Sequence, residues 1–503
     1  MNKQLDILFI HTNSSKQIYQ ELSKQNSAIE PPIWAAMLAN HCKINGFGVS
    51  ILDCEAEQLN WEESAKIISE MNPKIACFVV YGQQPSASSQ NMSGAVGTAK
   101  ILKKYSNIKT LFVGAHVAAL PHETLLEDSI DMICQNEGVY TISNLLKTDL
   151  SYEQIKRVKG IGYKKDGKII LNTPEKIVQQ NRLEIDLPGM SWDLLPNFDK
   201  YRTSGWHSWS NNTINSPFAS LYTSLGCPYK CSFCMINIIN RTNNNSNICS
   251  SDNNIFRWWN PDFIIKQFDY FAESGVKNIK IADELFVLNP NHFIKLCNLI
   301  IERKYDFNIW VYSRIDTCKP KYLDILKKAG VNWLALGIEN PNQQIRDQIH
   351  KNQFLDVKIK DLINNINDYG INIAGNYIFG LPTDTKETMQ YTLDFAMENK
   401  TELANFYCAM AYPGSKLYLE AKEKGLKLPY KYEGYSQHSY ETLNLSNENL
   451  TSAEILKFRD DAFYIYNSDE SYLKMIENKF GINAKRNIED TLKIKLKRRI
   501  LGD

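Results

Sequence analysis

The strongest constraint on this chain is a rhythm of short, β-branched apolar runs alternating with helix-like stretches, which occurs twice with a break between. From Leu5 to about Leu146 five runs stand out: LDILFIH, GVSILD, KIACFVVYG, TLFVGAH and DMICQNEG. Such alternation predicts a parallel sheet covered by helices on both faces, and near-continuous apolar runs are what doubly buried strands require. Residues 1–149 are therefore expected to form a flavodoxin-like, doubly wound α/β domain. Over 150–215 the rhythm fails. GIGYKKDGKIIL predicts a hairpin around Asp166-Gly167, followed by prolines and aromatics without period, as in a linker packed onto its neighbours. The rhythm resumes over 216–414, with strands expected near 221–225, 276–282, 307–316, 331–339, 371–380 and 403–412. Gly275, Gly330 and Gly370 each stand where a helix must end before the next strand. Six βα units predict a partial (β/α)6 TIM-like barrel with chemistry at the carboxyl ends of its strands. Residues 415–503 read as a mostly helical cap.

Composition narrows the function classes. The 503 residues are 43% apolar and 22% charged, close to the globular average. Lys plus Arg numbers 57 against 56 for Asp plus Glu, which leaves no global field to attract nucleic acid or anionic lipid. The basic stretch KIKLKRR near the end reads as a solvated helix end. No run approaches the roughly 18 apolar residues of a transmembrane helix, and the opening MNKQLDILFIH is too short for a signal-peptide core, so a cytoplasmic protein is expected. In that reducing compartment the 11 cysteines point to metal rather than to disulfides. Cys77 and Cys134 lie inside apolar strands and read as small buried hydrophobes.

The segment CPYKCSFC places Cys227, Cys231 and Cys234 in a C-x3-C-x2-C loop just after the first barrel strand. Three thiolates on one tight loop can hold three irons of a cubane cluster and leave the fourth iron open. Structural zinc is the alternative, and it needs a fourth ligand. Cys249 and His207 are available, without zinc-ribbon spacing. The asparagine-rich stretch from Asn237 to Asn254 is either a cover for this loop or a surface insertion of no functional weight.

With that loop in that position, residues 220–420 resemble the radical S-adenosylmethionine (SAM) superfamily. The resemblance implies a 4Fe–4S cluster whose open iron binds SAM, and an electron that cleaves SAM to a 5′-deoxyadenosyl radical. It further implies that Glu284 or Glu339 meets the methionyl ammonium or ribose, Arg314 the carboxylate, the strand from Asn376 to Gly380 the adenine, and Phe233 the adenine ring. Each charged residue, taken alone, reads equally as ordinary strand-end solvation. A low-potential electron donor such as flavodoxin or ferredoxin is an implied partner.

In the first domain, ligands are expected beyond the strand ends, at Gly82 and Gln84, at Gly114 and His116, and at Glu137 and Gly138. No G-x-G-x-x-G follows the first strand, which disfavours a dinucleotide. With GAHVAALPHETL, NEG and Pro31-Pro32, this region resembles the cobalamin-binding domain of cobalamin-dependent radical SAM enzymes, of the class B methyltransferase group. The D-x-H-x-x-G motif that supplies a cobalt-ligating histidine is absent, so the lower cobalt face is expected to lack one.

The tyrosine-rich segment KLPYKYEGYSQHSYETL suggests a cap over a polar substrate, with Tyr435 and His438 as candidate contacts, or a packing rim that closes the barrel. The resemblance implies methylation of an unactivated carbon of a small polar metabolite, a sugar or natural-product intermediate. Rearrangement or cyclisation with the same cofactors is the rival reading, and a non-catalytic iron–sulfur or zinc protein is a third.

Overall fold

A computed structural model describes residues 5–24, 27–82, 86–211, 214–245, 247–351 and 358–503. The first sheet has strands β1 (Ile7–His11), β2 (Val49–Asp53), β3 (Ile75–Val80), β4 (Lys109–Gly114), β5 (Met132–Cys134), β6 (Ile161–Lys165) and β7 (Lys168–Leu171), in the order β2-β1-β3-β4-β5-β6-β7. The first five are parallel. Every residue of β1 and β3 is buried, as a parallel strand covered on both faces demands. The hairpin at Asp166-Gly167 forms as expected, but it continues this sheet: β6 pairs antiparallel with β5, and β7 with β6. The reason is that β5 is three residues long and would otherwise leave its backbone groups unpaired.

The second sheet holds β8 (Phe218–Leu221), β11 (Asn278–Ile281), β12 (Asn308–Arg314), β13 (Val331–Glu339), β14 (Asn372–Phe379) and β15 (Leu403–Cys408), all parallel and in sequence order. It is the expected partial barrel, unclosed between β8 and β15. The helix-ending glycines do what they were expected to do: Gly275, Gly330 and Gly370 have φ of +74°, +87° and +68°, the left-handed region that ends a helix without cost to glycine. The first barrel strand stops at Leu221, earlier than the sequence suggested. The chain then bends out into a separate ribbon of β9 (Ser224–Gly226) and β10 (Phe256–Trp258). The bend is held by Asp283, whose carboxylate accepts from the backbone N–H and hydroxyl of both Thr223 and Ser224.

Helices Ser452–Ser468, Glu470–Phe480 and Ile482–Leu492 make the end of the chain helical, as expected. The basic tail is not a solvated helix end, however. The last α-helix stops at Leu492, and Arg498 is 1% exposed, bound to Asp460 through Nε at 2.9 Å and Nη2 at 3.0 Å. Among the described residues no helix is long and apolar enough to cross a membrane.

The first sheet and the ribbon are joined by charge. Arg257 on β10 meets Glu137, just after β5, at 2.8 Å, with side-chain exposures of 3% and 1%. Glu137 also accepts from Val178 N–H, and Arg257 donates to the Val178 carbonyl at 2.5 Å. Removing one partner would strand the other charge in a dry interior. Arg257→Leu is expected to cost about 3–5 kcal/mol, and Glu137→Gln combined with Arg257→Leu to recover part of it. Thermal unfolding of the two variants checks this, and an unchanged melting temperature for the single variant would refute it.

Candidate active site

The cysteine loop is braced from both ends. Gly226, at φ +82°, precedes Cys227, and a Cβ there would lie 2.1 Å from the Ile255 carbonyl, so no other residue fits. Asn237 clamps the start of the loop: its Oδ1 accepts from Cys227 N–H at 3.2 Å and its Nδ2 donates to Cys227 O at 2.7 Å. Ser232, at the far end, donates its N–H to Ile349 O and accepts from Leu417 N–H. The asparagine-rich stretch thus has structural weight. Within it, Arg241 also reaches across to donate to the Ala118 carbonyl of the first domain at 2.6 Å.

The three thiols are half-buried and unoxidised, and burial pushes each above its usual range, Cys227 to about 12. Among the described residues no three His, Cys, Asp or Glu side chains converge as a single metal ion requires. A cubane asks for less convergence, since each thiolate binds a different iron. The zinc alternative fails on its fourth ligand. Cys249 is turned to Ser251 and Asp252, and His207 is held by Thr203 and the Asn308 carbonyl.

Three of the expected SAM residues surround this loop. Arg314 Nη1 lies 3.5 Å from Cys231 Sγ, its guanidinium lies 3.8 Å from the Tyr229 ring centroid, and Asp316 holds its Nε and Nη2 at 2.8 and 3.0 Å. Glu284 is half-buried with its Oε1 enclosed and unpartnered, and desolvation, then the neighbouring Asp283, pushes its carboxyl up to about 8. An acid in that state is relieved by an arriving cation, which fits the ammonium of SAM. Glu339 ends β13 at φ +60°, where β13 and β14 slip register, and is ion-paired with Lys351. A non-glycine residue held in the left-handed region is characteristic of functional sites. Phe233 packs into an apolar cluster with Ile349, Ile378 and Leu381. Gly380 turns at φ +73° against Ile455, while Asn376 lies apart, inside the barrel, accepting from Asn405 at 3.0 Å.

A cavity of about 360 Å³ lies between the two sheets. His11 and Tyr81-Gly82 line it from the ends of β1 and β3, and Lys280, Trp310, Tyr312, Asn376 and Tyr407 from inside the barrel. β1 and β3 flank the switch point of the first sheet, where open α/β sheets bind ligands. The Tyr81 hydroxyl there is buried without a hydrogen-bond partner and the ring stacks on Trp34 at 4.5 Å, a donor and a platform suited to a large amide-bearing cofactor.

Of the other cobalamin candidates, Gln84 lies outside the described residues. Gly114 packs so close to β3 that a Cβ would lie 2.1 Å from Val80 O, and Gly138, at φ +87°, packs on Val113. Glu137 is committed to Arg257. His116 is buried with Nδ1 at 3.0 Å from Ser89 Oγ and its ring edge-on to Tyr432, outside the cavity lining. Tyr435 stacks on Tyr412 and His438 sits 5.6 Å from Tyr19; neither lines the cavity, and His438 stands behind its wall, of which Tyr19 is part. Sequence reading missed Lys351, His11, Glu55 and the pair Glu30–Lys280.

Comparison with known proteins agrees with this geometry. Residues 221–396 match the Radical SAM superfamily and residues 27–146 match the B12 binding domain. An uncharacterized methyltransferase of Pyrococcus horikoshii is 28% identical over 473 residues, covering 92% of this chain and 94% of that protein. An anaerobic magnesium-protoporphyrin IX monomethyl ester cyclase of Cereibacter sphaeroides is 23% identical over 467 residues, covering 90% of this chain and 68% of its own. The fold is shared with the radical SAM methyltransferase TsrM of Kitasatospora setae, solved with cobalamin and a [4Fe-4S] cluster, at a TM-score of 0.67 and 13% identity over 97% of this chain and 100% of that one. The chain belongs to the radical SAM superfamily, in the branch with a B12-binding domain ahead of the barrel. It is an enzyme whose cofactors are a 4Fe–4S cluster, SAM and cobalamin.

Two expectations follow. On the expectation that Cys231 is an iron ligand, Cys231→Ala, at a half-buried loop position, should abolish reductive SAM cleavage while circular dichroism stays native; continued 5′-deoxyadenosine formation would refute the ligand assignment. Burial also holds His116 and His292 down to about 4 and His207 to about 3. Each folded-state value lies below the unfolded one, so the stability tied to neutral imidazole is complete above pH 6.5 and is lost as pH falls toward 4. The loss should approach about 1.4 kcal/mol per pH unit for each histidine, read from unfolding at pH 7.5, 6 and 5, with a shallower slope in His207→Gln.

Proposed function

We propose that this enzyme is a methyltransferase acting on an unactivated carbon of a small polar metabolite, a sugar or natural-product intermediate. The observation that carries the reading is that one cavity is lined both by the switch point of the first sheet and by the barrel interior. When bound, the cluster with SAM supplies a 5′-deoxyadenosyl radical and cobalamin supplies a transferable methyl group. The chain's own residues then have positional tasks. Cys227, Cys231 and Cys234 hold irons, and Glu284 faces the SAM ammonium. Arg314, fixed by Asp316, sets the charge beside Cys231 and the SAM carboxylate. Glu339 presents an oxygen to the nucleoside, and Asn376 turns its amide to the cavity between the sheets. The first domain, laid against the barrel opening, keeps water from the reacting carbon. No acid–base pair has to touch the substrate for this chemistry.

Similarity to a methyltransferase over nearly the full length of both chains supports the reading. The cyclase relative favours a second one, ring formation or rearrangement with the same cofactors. The electron donor under either reading is a small low-potential protein of the flavodoxin or ferredoxin kind, in the cytoplasm.

Anaerobic reconstitution with iron, sulfide and hydroxocobalamin is expected to give about four irons and one cobalt per chain. Turnover should then release S-adenosylhomocysteine together with 5′-deoxyadenosine. 5′-Deoxyadenosine without S-adenosylhomocysteine would favour the cyclisation reading, and iron without cobalt would remove the methyl carrier from the mechanism.

A further inference from the structure

The tyrosine-rich segment after the barrel and the basic tail meet at one residue of the first domain. The chain leaving the carboxyl end of β1, where an open α/β sheet receives its ligand, makes a helical turn, Ser15–Tyr19, and a tighter one, Gln20–Lys24, and there Ile18 and Tyr19 line the cavity. Each turn is five residues long, and Ser14 caps the first without a side-chain hydrogen bond, so this strap has too few internal bonds to hold its own shape. Its shape is set from outside. Gln20 Nε2 donates to the His438 carbonyl at 2.7 Å and to the Lys497 carbonyl at 3.1 Å, and Gln20 Oε1 accepts from Lys497 N–H at 3.2 Å. Taking both backbone groups of one residue requires a side-chain head that carries a donor and an acceptor together, as a primary amide does. Gln20 holds φ at +51°, a left-handed value that a non-glycine residue keeps only where its surroundings impose it. Beside it Ser436 Oγ donates to Ile18 O at 3.1 Å, the His438 ring lies 5.6 Å from the Tyr19 ring, and Gln90, another cavity residue, donates to Tyr435 O at 3.3 Å. The tail is itself anchored: Arg498, bound to Asp460, donates to Ser439 O at 3.2 Å, and Arg499 N–H donates to Tyr440 O at 2.9 Å.

We propose that Gln20 is a positioning residue for cobalamin: pinned to His438 and Lys497, it holds Ile18 and Tyr19 against the bound cofactor, so that the residues following the barrel control how fast cobalamin leaves. The proposal rests on the reading of the first-sheet wall of the cavity as the cobalamin site, and adds to it a clasp that the first domain does not supply from its own residues. Gln20 does not line the cavity and acts through its neighbours in the chain. The strap can swing from the strand ends only when the three hydrogen bonds of the Gln20 amide give way together, because a partly released amide still fixes the backbone on either side of it. The tyrosine-rich segment thereby serves the cofactor from behind the wall: Ser436 and His438 brace the strap, and Tyr435 braces Gln90.

The test uses the full-length protein loaded with hydroxocobalamin. Bound cofactor is chased with excess cyanocobalamin and its exchange followed by absorbance after rapid desalting, and amide hydrogen exchange of residues 15–24 is read with and without cobalamin. In the unaltered protein cobalamin should slow hydrogen exchange across 15–24. Gln20→Ala should abolish that protection and release cobalamin about tenfold faster or more, the loss of three hydrogen bonds of ordinary strength. Gln20→Glu, which keeps the acceptor and loses the donor, should release it nearly as fast. Lys497→Pro deletes the N–H and keeps the carbonyl, so it should speed release less, and combining it with Gln20→Ala should add nothing to Gln20→Ala alone. A lowered melting temperature without faster release, or an unprotected strap in the loaded protein, overturns the proposal and leaves Gln20 a structural residue. Normal uptake with unchanged release overturns the clasp alone, whereas failure of the unaltered protein to take up cobalamin overturns the cobalamin site and the clasp with it.

Discussion

The contact between Glu137 and Arg257 sets the relation on which the site depends. Glu137 follows the last parallel strand of the first sheet, and Arg257 sits on the ribbon that also carries the start of the cysteine loop, since β9 runs into Gly226 and Cys227. Their ion pair, fully enclosed and tied on both sides to Val178, therefore fixes the first sheet against the ribbon that leads into the cysteine loop. An apolar contact of equal area could slide by a residue or two. A buried, hydrogen-bonded charge pair cannot, because any displacement leaves a charge unpaired in a medium that solvates it poorly. Arg241, reaching from the asparagine-rich stretch to Ala118, repeats the constraint at a second point.

That constraint explains how a barrel with an open side can enclose polar chemistry. The interior positions of the strands carry Lys280, Arg314, Glu339 and Asn376, groups that would destabilise an ordinary core. They are tolerated because each finds a partner once the first domain is docked or the cysteine loop is folded: Lys280 with Glu30, Arg314 with Asp316 and Cys231, Glu339 with Lys351, Asn376 with Asn405. The exceptions are informative. Glu284 keeps Oε1 unpartnered, and Glu55, on the cavity lining, has no described cation nearer than His11 at 4.0 Å, so the protein does not fully satisfy either carboxyl.

The layered architecture was largely legible in the sequence, because burial on both faces writes itself as continuous apolar runs and helix ends write themselves as glycine before a strand. The cysteine loop was legible because the spacing itself is the chemistry. The hairpin at Asp166-Gly167 was legible as a hairpin, but not its membership of the first sheet, since edge pairing leaves no mark on the residues of a two-stranded unit. Arg498 was read as solvated because a basic tail ordinarily is, and its partner Asp460 lies 38 residues away. The segment between β1 and the helix Ile33–Ile44 showed only Pro31-Pro32 in the sequence, and nothing there marked Tyr19 or Glu30 as cavity residues.

What the chain alone determined is local in kind: which segments are strands, where helices stop, and that three thiolates share one loop, each decided by residues within a few positions of one another. What only the tertiary structure decided is which charges meet. His11 finds Asp53 across 42 residues, Arg257 finds Glu137 across 120, and Lys280 finds Glu30 across 250. The physical reason is that an ion pair in a low-dielectric interior is set by the docking of whole layers, and a charged residue in the sequence looks the same whether water or a distant partner will neutralise it.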